Sequence, residues 1–333
     1  MSDSAGGELL SVELLSVVVP MYCEADIVHE LHRQLLEALE PLDVAFEIVF
    51  VDDGSTDATL AVVRRLAADD PRVRYVALSR NFGKESAMLA GLRRARGTSV
   101  LLMDADLQHP PALIASLLES HRAGFDQVVA RRTRSGDPRT RSWFARFYYR
   151  AVKRLADVEI IDGVGDFRLL SRRAVDAILS LEETNRFSKG LFAWIGFDTA
   201  VVEYDNVPRA GGRSRWSAGR LINYGVQGIV SFNDRPLRAA IYLGSAVTGL
   251  AGLYVAYIIV QTVVSGVRTP GYVTLITAMV VMSGLQLLFL GIMGEYVGKI
   301  YFEAKRRPHY LVKETEEMVA PSVAAVRRTP SHR

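Results

Sequence analysis

Short apolar runs of strand length recur along the first third of the chain, at residues 15–20, 46–51, 73–78 and 100–103. Segments with apolar residues at helical spacing lie between them, at residues 26–39, 58–68 and 84–94. Because an amphipathic helix repeats every 3.6 residues or so and a strand every two, the pattern separates the two element types. Strands that alternate with helices in this way predict an α/β fold, with a mostly parallel sheet and helices on both faces.

The pattern continues with a helix at residues 113–123, a strand at 125–132 that ends in two arginines, and a short strand after the loop at 162–165. Residues 142–155 mix aromatic and basic side chains. That mixture is compatible with a core helix and also with an interfacial helix on an anionic membrane. Residues 219–232 are a second candidate interfacial helix.

Two long apolar runs, at residues 239–266 and 272–293, are each long enough to cross a bilayer. The link between them is short and turn-forming, so we expect a transmembrane hairpin. Positive charge is concentrated on both sides of the hairpin rather than within the link, which predicts a cytoplasmic catalytic domain and C-terminus. Small residues along both runs could let the helices pack closely, within one chain or in a homo-oligomer.

These patterns divide the chain into five parts. We expect an N-terminal segment (1–14), a cytoplasmic α/β catalytic domain (15–218), an interfacial helix (219–237), two transmembrane helices (238–300) and a cytoplasmic tail (301–333). The tail from residue 312 onward has charges and prolines without a periodic face, so we expect it to be largely disordered.

Composition narrows the function classes. The formal net charge of the 333 residues is only +3, and no basic stripe with interleaved aromatics occurs in the first hundred residues, which argues against a nucleic-acid partner. The single cysteine, Cys23, excludes an internal disulfide framework and any multi-cysteine metal site. The N-terminus lacks a basic region followed by an apolar one, so no signal peptide is expected.

Polar residues cluster where the predicted strands end. Asp104 and Asp106 follow the fourth strand, and the strand period of two points both carboxylates in the same direction. Carboxylate and amide oxygens are what Mg²⁺ or Mn²⁺ prefers, and Gln108 offers a third oxygen. An isolated pair of this kind is more often a polar turn, so the other strand ends decide its meaning.

Three of those strand ends carry spaced motifs: Pro20-Met21-Tyr22-Cys23-Glu24, Val51-Asp52-Asp53-Gly54-Ser55 and Asp104-Ala105-Asp106. Their order resembles that of the inverting family 2 glycosyltransferases, which have the GT-A nucleotide-sugar-binding fold. Cys23 departs from the family's usual asparagine. A dinucleotide-binding dehydrogenase has a similar strand and helix pattern, but the first turn here lacks its glycine-rich sequence.

The resemblance implies roles for single residues. Pro20, Tyr22, Glu24 and Asp53 would hold the base and ribose of a UDP- or GDP-hexose, with Lys84 and Asp104 near its phosphates. Asp104, Asp106 and Gln108 would hold Mg²⁺ or Mn²⁺.

On the acceptor side, the element Asp166-Phe167-Arg168-Leu169 resembles one that supplies an aspartate in family members acting on polyprenyl phosphates. Arg131 is a candidate phosphate ligand and, with Asp166, a candidate catalytic residue. Residues 207–217 resemble the family's basic lid loop, in which Arg209, Ser214 and Arg215 would bind phosphates.

The whole layout resembles the bacterial polyprenyl-phosphate glycosyltransferases, relatives of dolichol-phosphate mannose synthase. It implies a multi-pass enzyme of the bacterial inner membrane that transfers a hexose to polyprenyl phosphate and contacts membrane lipid. Two alternatives stay open. A processive polysaccharide synthase would share the first motifs, and an inactive membrane scaffold would be expected to lose the metal carboxylates.

Overall fold

The computed structural model describes residues 13–132, residues 164–204 apart from 184, 185 and 187, single positions between 244 and 264, and residues 271–319. The expected interfacial helices, the lid residues Arg209, Ser214 and Arg215, and most of the first apolar run lie outside these residues.

The strands and helices predicted in the first third of the chain are confirmed to within about two residues. The strands are β1 (Leu14–Met21), β2 (Ala45–Asp52), β3 (Val73–Leu78) and β4 (Ser99–Leu102). The helices that alternate with them are α1 (Val28–Leu39), α2 (Thr59–Asp69) and α3 (Lys84–Arg94).

The middle of the described chain adds three strands and three helices. After a short 3-10 turn (Pro111–Leu113) come α4 (Ile114–Arg122), β5 (Gln127–Arg132), β6 (Val164–Ser171), α5 (Arg172–Ser180), α6 (Ser188–Trp194) and β7 (Thr199–Tyr204). The C-terminal elements are α7 (Tyr272–Ala304), β8 (Val312–Thr315) and α8 (Glu316–Val319).

The described strands form one eight-stranded sheet in the order β7-β5-β6-β4-β1-β2-β3-β8. The pairs β1–β2, β1–β4, β2–β3 and β5–β7 are parallel, and β6 and β8 run antiparallel to their neighbours. The prediction of an α/β fold with a mostly parallel sheet is therefore confirmed. The carboxyl ends of β1 to β4 meet at one edge, where the predicted motifs lie.

Two apolar clusters cover the two faces of this sheet. Leu15, Val17 and Val19 pack with α1, α2 and α4 on one face, and Val18 packs with α3 and α5 on the other. The alternation follows directly from the strand period of two. Helix α3 approaches β1 so closely that a Cβ atom at Gly91 would lie 2.2 Å from Val18 Cγ1. Glycine at this position therefore sets how tightly α3, and the loop before it, sit on the sheet.

Helix α7 contains 33 residues, and its described side chains are largely exposed. Residues Val281–Ala304 are long and apolar enough to cross a membrane, judged by length and composition. At 1.5 Å per residue the helix is about 50 Å long, which exceeds the roughly 30 Å of a bilayer's hydrocarbon core. The prediction of a helix beginning at Tyr272 is confirmed, but the helix continues past the predicted end at residue 293.

The expectation that the tail is disordered from residue 312 is wrong for residues 312–319. Strand β8 pairs antiparallel with β3, and Ser79 N–H donates to the Leu311 carbonyl at 2.9 Å. We call residues 311–319 the C-terminal strap. The segment is too short for a periodic signal, and its acidic side chains acquire partners only when the chain folds.

Those partners are arginines at the β3 edge of the sheet. Arg64 makes two 2.6 Å hydrogen bonds to Glu314. Glu316 accepts from Arg74 Nε at 3.0 Å, from Arg94 Nη2 at 2.6 Å and from the Tyr75 backbone N–H at 3.0 Å. Arg74 is buried and also pairs with Glu47 at 3.0 Å. The strap therefore neutralises the cationic edge of the sheet. Without it, the buried guanidinium of Arg74 would be only partly paired.

We predict that Glu316→Ala weakens the attachment of the strap by about 2 kcal/mol, since three hydrogen bonds to a charged, half-buried carboxylate are lost. Hydrogen exchange of the amides in Val312–Thr315, measured on the full chain in detergent, should then be roughly 30-fold faster. Glu317→Ala is the matched control, because Glu317 is 54% exposed and its ion pairs to Arg94, Arg96 and, at 3.6 Å, Arg74 are worth little. Equal effects of the two substitutions would contradict this account.

Candidate functional site

A crevice of about 420 Å³ opens at the carboxyl ends of the parallel strands. This volume is in the usual range for small-ligand sites. Its lining comes from the loops after β1, β2, β3 and β4, and comprises Pro20, Met21, Tyr22, Glu24, Asp53, Asn81, Gly83, Lys84, Ala87, Asp104, Ala105 and Asp106. The structure thus brings together Pro20, Tyr22, Glu24, Asp53, Lys84, Asp104 and Asp106, which the sequence predicts as donor-site residues.

The loop after β1 presents its side chains to this crevice. Tyr22 is 37% exposed, which leaves an aromatic surface open to a ligand. Cys23 has φ +56°, and its N–H donates to Ser55 Oγ at 2.9 Å. Asparagine adopts this left-handed conformation more readily than most residues, so the cysteine occupies a position whose backbone favours the family's usual residue.

Asp53 anchors the next loop. Its two carboxylate oxygens accept from the N–H groups of Phe82 at 2.8 Å and Gly83 at 2.9 Å. Gly54 has φ +66°, and a Cβ there would lie 2.3 Å from the Arg80 carbonyl carbon. Burial raises the pKa of Asp53, while the two backbone hydrogen bonds oppose that shift. Asp53 therefore positions the loop before Lys84, a role that the sequence did not predict.

Lys84, the first residue of α3, joins two motifs that are far apart in sequence. Its Nζ lies 2.5 Å from Asp104 Oδ1 and 2.5 Å from Asp166 Oδ2. Asp104 follows β4, and Asp166 is on the antiparallel neighbour β6. The ammonium group therefore bridges a predicted donor-site carboxylate and the predicted acceptor-site carboxylate.

The ion pairs decide the protonation of these groups. Burial alone would lower the pKa of Lys84, but Asp166 and Asp104 outweigh it and hold that pKa above its ordinary value. Burial alone would raise the pKa of Asp166, but Lys84, with help from Lys189, holds it below its ordinary value. At neutral pH the site therefore contains an ammonium ion and an ionised Asp166.

His109 supports the same junction and was missed by the sequence reasoning. Its ring stacks on Phe167 with a centroid distance of 4.9 Å, and its Nδ1 faces the Asp104 N–H at 3.4 Å. Burial lowers the pKa of His109, so the imidazole is neutral and can accept that hydrogen bond. A histidine in the loop that follows the two aspartates was the available signal, but nothing local indicated that it packs on the Asp166 strand.

The structure does not bring every predicted residue into the crevice. Gln108 is absent from the lining, and its backbone N–H donates to Asp106 Oδ1 at 3.1 Å. Arg131 lies outside the lining too, where its Nε donates to Glu203 on β7 at 3.0 Å. Among the described residues no group of three or more His, Cys, Asp or Glu side chains could hold a metal ion.

Comparison with known proteins places the chain in a family. The model for glycosyl transferase family 2 matches residues 16–179, and the model named GtrB C-terminal hairpin matches residues 235–300. The Bacillus subtilis chain CsbB, named as a glycosyltransferase, is 48% identical over 301 residues, which cover 90% of this chain and 92% of CsbB. The chain belongs to glycosyltransferase family 2.

A second family member has a more specific name. The bactoprenol glucosyl transferase of Shigella phage SfV is 40% identical over 304 residues, which cover 91% of this chain and 99% of that protein. Similarity to solved structures is weaker. The mannosyltransferase PcManGT of Pyrobaculum calidifontis, in complex with GDP-Man and Mn²⁺, is 19% identical with a TM-score of 0.44 and covers 83% of each chain. The matched hairpin and the apolar α7 together indicate association with a membrane.

We predict that Lys84→Met raises the pKa of the Asp166 carboxyl. Burial raises this pKa, and the substitution removes the Lys84 ammonium that lowers it. The Lys84–Asp166 pair stabilises the folded chain above the ordinary aspartate pKa, and this contribution is lost as pH falls through the lowered pKa of Asp166. A carboxyl-carbon NMR titration of the two proteins would measure the change. The pKa of Asp126, which Arg173 lowers, should be the same in both. An unchanged Asp166 titration would contradict the assigned ion pair.

Proposed function

We propose that this family 2 glycosyltransferase transfers a hexose from a UDP- or GDP-sugar to polyprenyl phosphate at the inner face of a bacterial cell membrane. The observation that carries the proposal is the Lys84 bridge between Asp104 and Asp166. It joins a carboxylate from the donor motif to one from the motif associated with lipid-phosphate acceptors. Relatives named bactoprenol glucosyl transferase support the same acceptor class.

On the donor side, the aromatic ring of Tyr22 offers a surface for the base, and the carboxylate of Glu24 suits a ribose diol. Asp53 contributes by holding the loop before Lys84 in place. Lys84 lies at the start of α3, where the helix dipole and free backbone N–H groups favour phosphate. These groups would orient the nucleotide so that the sugar lies toward Asp166.

The carboxylates of Asp104 and Asp106 fit a divalent cation of the Mg²⁺ or Mn²⁺ type. Both line the crevice, and such ions commonly take one or two protein carboxylates together with substrate phosphates and water, so a larger protein cluster is not required. The bound ion would neutralise the charge that develops on the departing nucleoside diphosphate. Gln108 stays a candidate third ligand, for which its side chain would have to turn toward the crevice.

On the acceptor side, little base catalysis is needed. The second pKa of a phosphate monoester is about 6, so the attacking oxygen is already largely anionic at neutral pH. Asp166, kept ionised by Lys84, would then orient the acceptor and the sugar rather than remove an essential proton. Attack on the anomeric carbon from the side opposite the diphosphate gives the inverted product.

Arg131, Arg209 and Arg215 would offset the repulsion between the two anionic substrates, with Ser214 adding a hydrogen bond. Arg131 pairs with an exposed Glu203 and is therefore free to exchange that partner at small cost.

The direction of β8 supports access by a lipid acceptor. Val312 pairs with Leu78, the last residue of β3, so the strap enters the sheet at the crevice edge. Only seven residues lie between Ala304, the end of α7, and Val312, so eight Cα–Cα steps join the two. A segment of that length spans at most about 28 Å. The crevice edge is thereby tethered near the end of the apolar helix. The expected two spans, the cytoplasmic orientation and a homo-oligomer through small residues in the helices are parts of the same proposal.

We predict that membranes containing the chain convert one labelled UDP- or GDP-hexose into an organic-extractable, phosphate-linked lipid when polyprenyl phosphate is added. Asp106→Asn should lower the rate by at least about 100-fold, because the leaving diphosphate loses its electrostatic stabilisation. Label recovered in a water-soluble polymer would favour a processive synthase instead. Absence of transfer with every donor would favour a scaffold.

We also predict that Asp166→Asn retains measurable turnover, with a loss of about tenfold or less, whereas Arg131→Ala raises the KM for polyprenyl phosphate more strongly. Steady-state rates at varied lipid-phosphate concentration would separate the two effects. Glu203→Ala, which removes the partner of Arg131 without removing the cation, is the control and should leave KM close to native. Normal lipid-phosphate binding without turnover in Asp166→Asn would show instead that Asp166 is an essential base.

A further inference from the structure

The bridge made by Lys84 has a consequence for the order of events in the crevice. Asp104 Oδ1 and Asp166 Oδ2 each lie 2.5 Å from the same nitrogen, so the two oxygens cannot be farther apart than twice that distance. Two carboxylates this close repel each other unless a cation lies between them. Lys84 supplies that cation.

A divalent cation held by Asp104 would repel the Lys84 ammonium and compete with it for this carboxylate. Metal ions of the Mg²⁺ type bind carboxylate oxygens at about 2 Å, which would bring a doubly charged ion against an ammonium group in one partly desolvated site. The lysine side chain has four methylene groups and no fixed planar head, so its ammonium can turn away while α3 stays in place. Asp166, on the neighbouring strand β6, remains available as the partner of Lys84.

The surroundings of Lys84 favour release of Asp104 alone over release of both carboxylates. Asp166 is more shielded than Asp104, with side-chain exposures of 16% and 28%. Asp104 is also closely linked to a fixed support, since its N–H faces the buried His109 ring. The backbone at Asp104 is therefore supported independently of its ion pair with Lys84.

We propose that Lys84 is a displaceable counter-ion, which pairs with Asp104 until a divalent cation and a nucleoside diphosphate bind, and then yields Asp104 while it keeps Asp166. This inference rests on the proposed function, because it takes Asp104 and Asp106 as the cation's holders. It adds that Lys84 competes with the cation before the nucleotide binds and pairs with the phosphates afterwards. Binding of cation and nucleotide would then be cooperative.

The test measures the affinity of the full chain in detergent for Mn²⁺. Binding is monitored by electron paramagnetic resonance, first without nucleotide. Lys84→Met removes the competing charge at nearly constant side-chain length, and we expect it to bind Mn²⁺ roughly tenfold more tightly than the native chain. Lys84→Arg, which keeps a cation, should stay near the native affinity. Lys305→Met, which removes a cation beside Tyr301 and outside the crevice, should not change it.

Added UDP or GDP supplies the second half of the test. At saturating nucleotide, Lys84→Met should no longer bind Mn²⁺ more tightly than the native chain. The native ammonium then neutralises phosphate rather than repelling the metal ion. If Lys84→Met still bound Mn²⁺ more tightly by the same factor at saturating nucleotide, the proposed displacement of Lys84 would be wrong. Native or weaker Mn²⁺ affinity in Lys84→Met without nucleotide would overturn the inference altogether, and Lys84→Gln provides the same comparison if the methionine variant fails to fold.

Asp106→Asn separates this inference from the proposed function. If native Mn²⁺ binding is lost in Asp106→Asn but is unaffected by Lys84→Met, the metal site stands and the role of Lys84 is wrong. If neither the native chain nor any variant binds Mn²⁺ with or without nucleotide, the proposed metal site fails, and the inference fails with it.

Discussion

The arrangement of the crevice depends on one electrostatic constraint, the closeness of the Asp104 and Asp166 carboxylates. Their backbones are fixed by β4 and β6, which pair antiparallel in the sheet. The pairing ends at Leu102 and Arg168, two positions from each aspartate, so it holds the two backbones close together. A cation is consequently required between them, and Lys84 provides it from the first position of α3. The proposed donor and acceptor halves of the site are thus joined by a charge rather than by a covalent or apolar contact.

Several features that look independent serve to place that cation. The Asp53 carboxylate holds the N–H groups of Phe82 and Gly83, which immediately precede Lys84. Gly91 allows α3 to lie close against β1. His109, stacked on Phe167, links the Asp104 loop to the Asp166 strand. These contacts place the three groups of the bridge, Lys84, Asp104 and Asp166, near one another. Preorganised charge of this kind is what stabilises developing charge in a transition state.

The C-terminal strap connects this organisation to the apolar helix α7, which would lie in the membrane in the proposed arrangement. Its acidic residues pair with arginines on β3 and its neighbours, and its entry point lies at the crevice edge. A catalytic domain linked to its apolar helix only through the segment before the hairpin could rotate freely above a bilayer. In the proposed arrangement, attachment at both ends of the hairpin would restrict that rotation. A lipid phosphate, which moves only in the plane of the membrane, would then meet the crevice at a defined height.

The sequence by itself determined the alternation of strands and helices and seven of the twelve residues that line the crevice. Local apolar periodicity and the rule that parallel strands share a carboxyl edge are sufficient for both. It also determined that residues 272 onward form a long apolar helix. Only the tertiary structure decided that Lys84 bridges Asp104 and Asp166, that His109 supports them, that Arg131 pairs with Glu203, and that residues 312–319 join the sheet. These contacts join residues that are distant in sequence, and their partners depend on strand order and direction, which a local pattern does not encode.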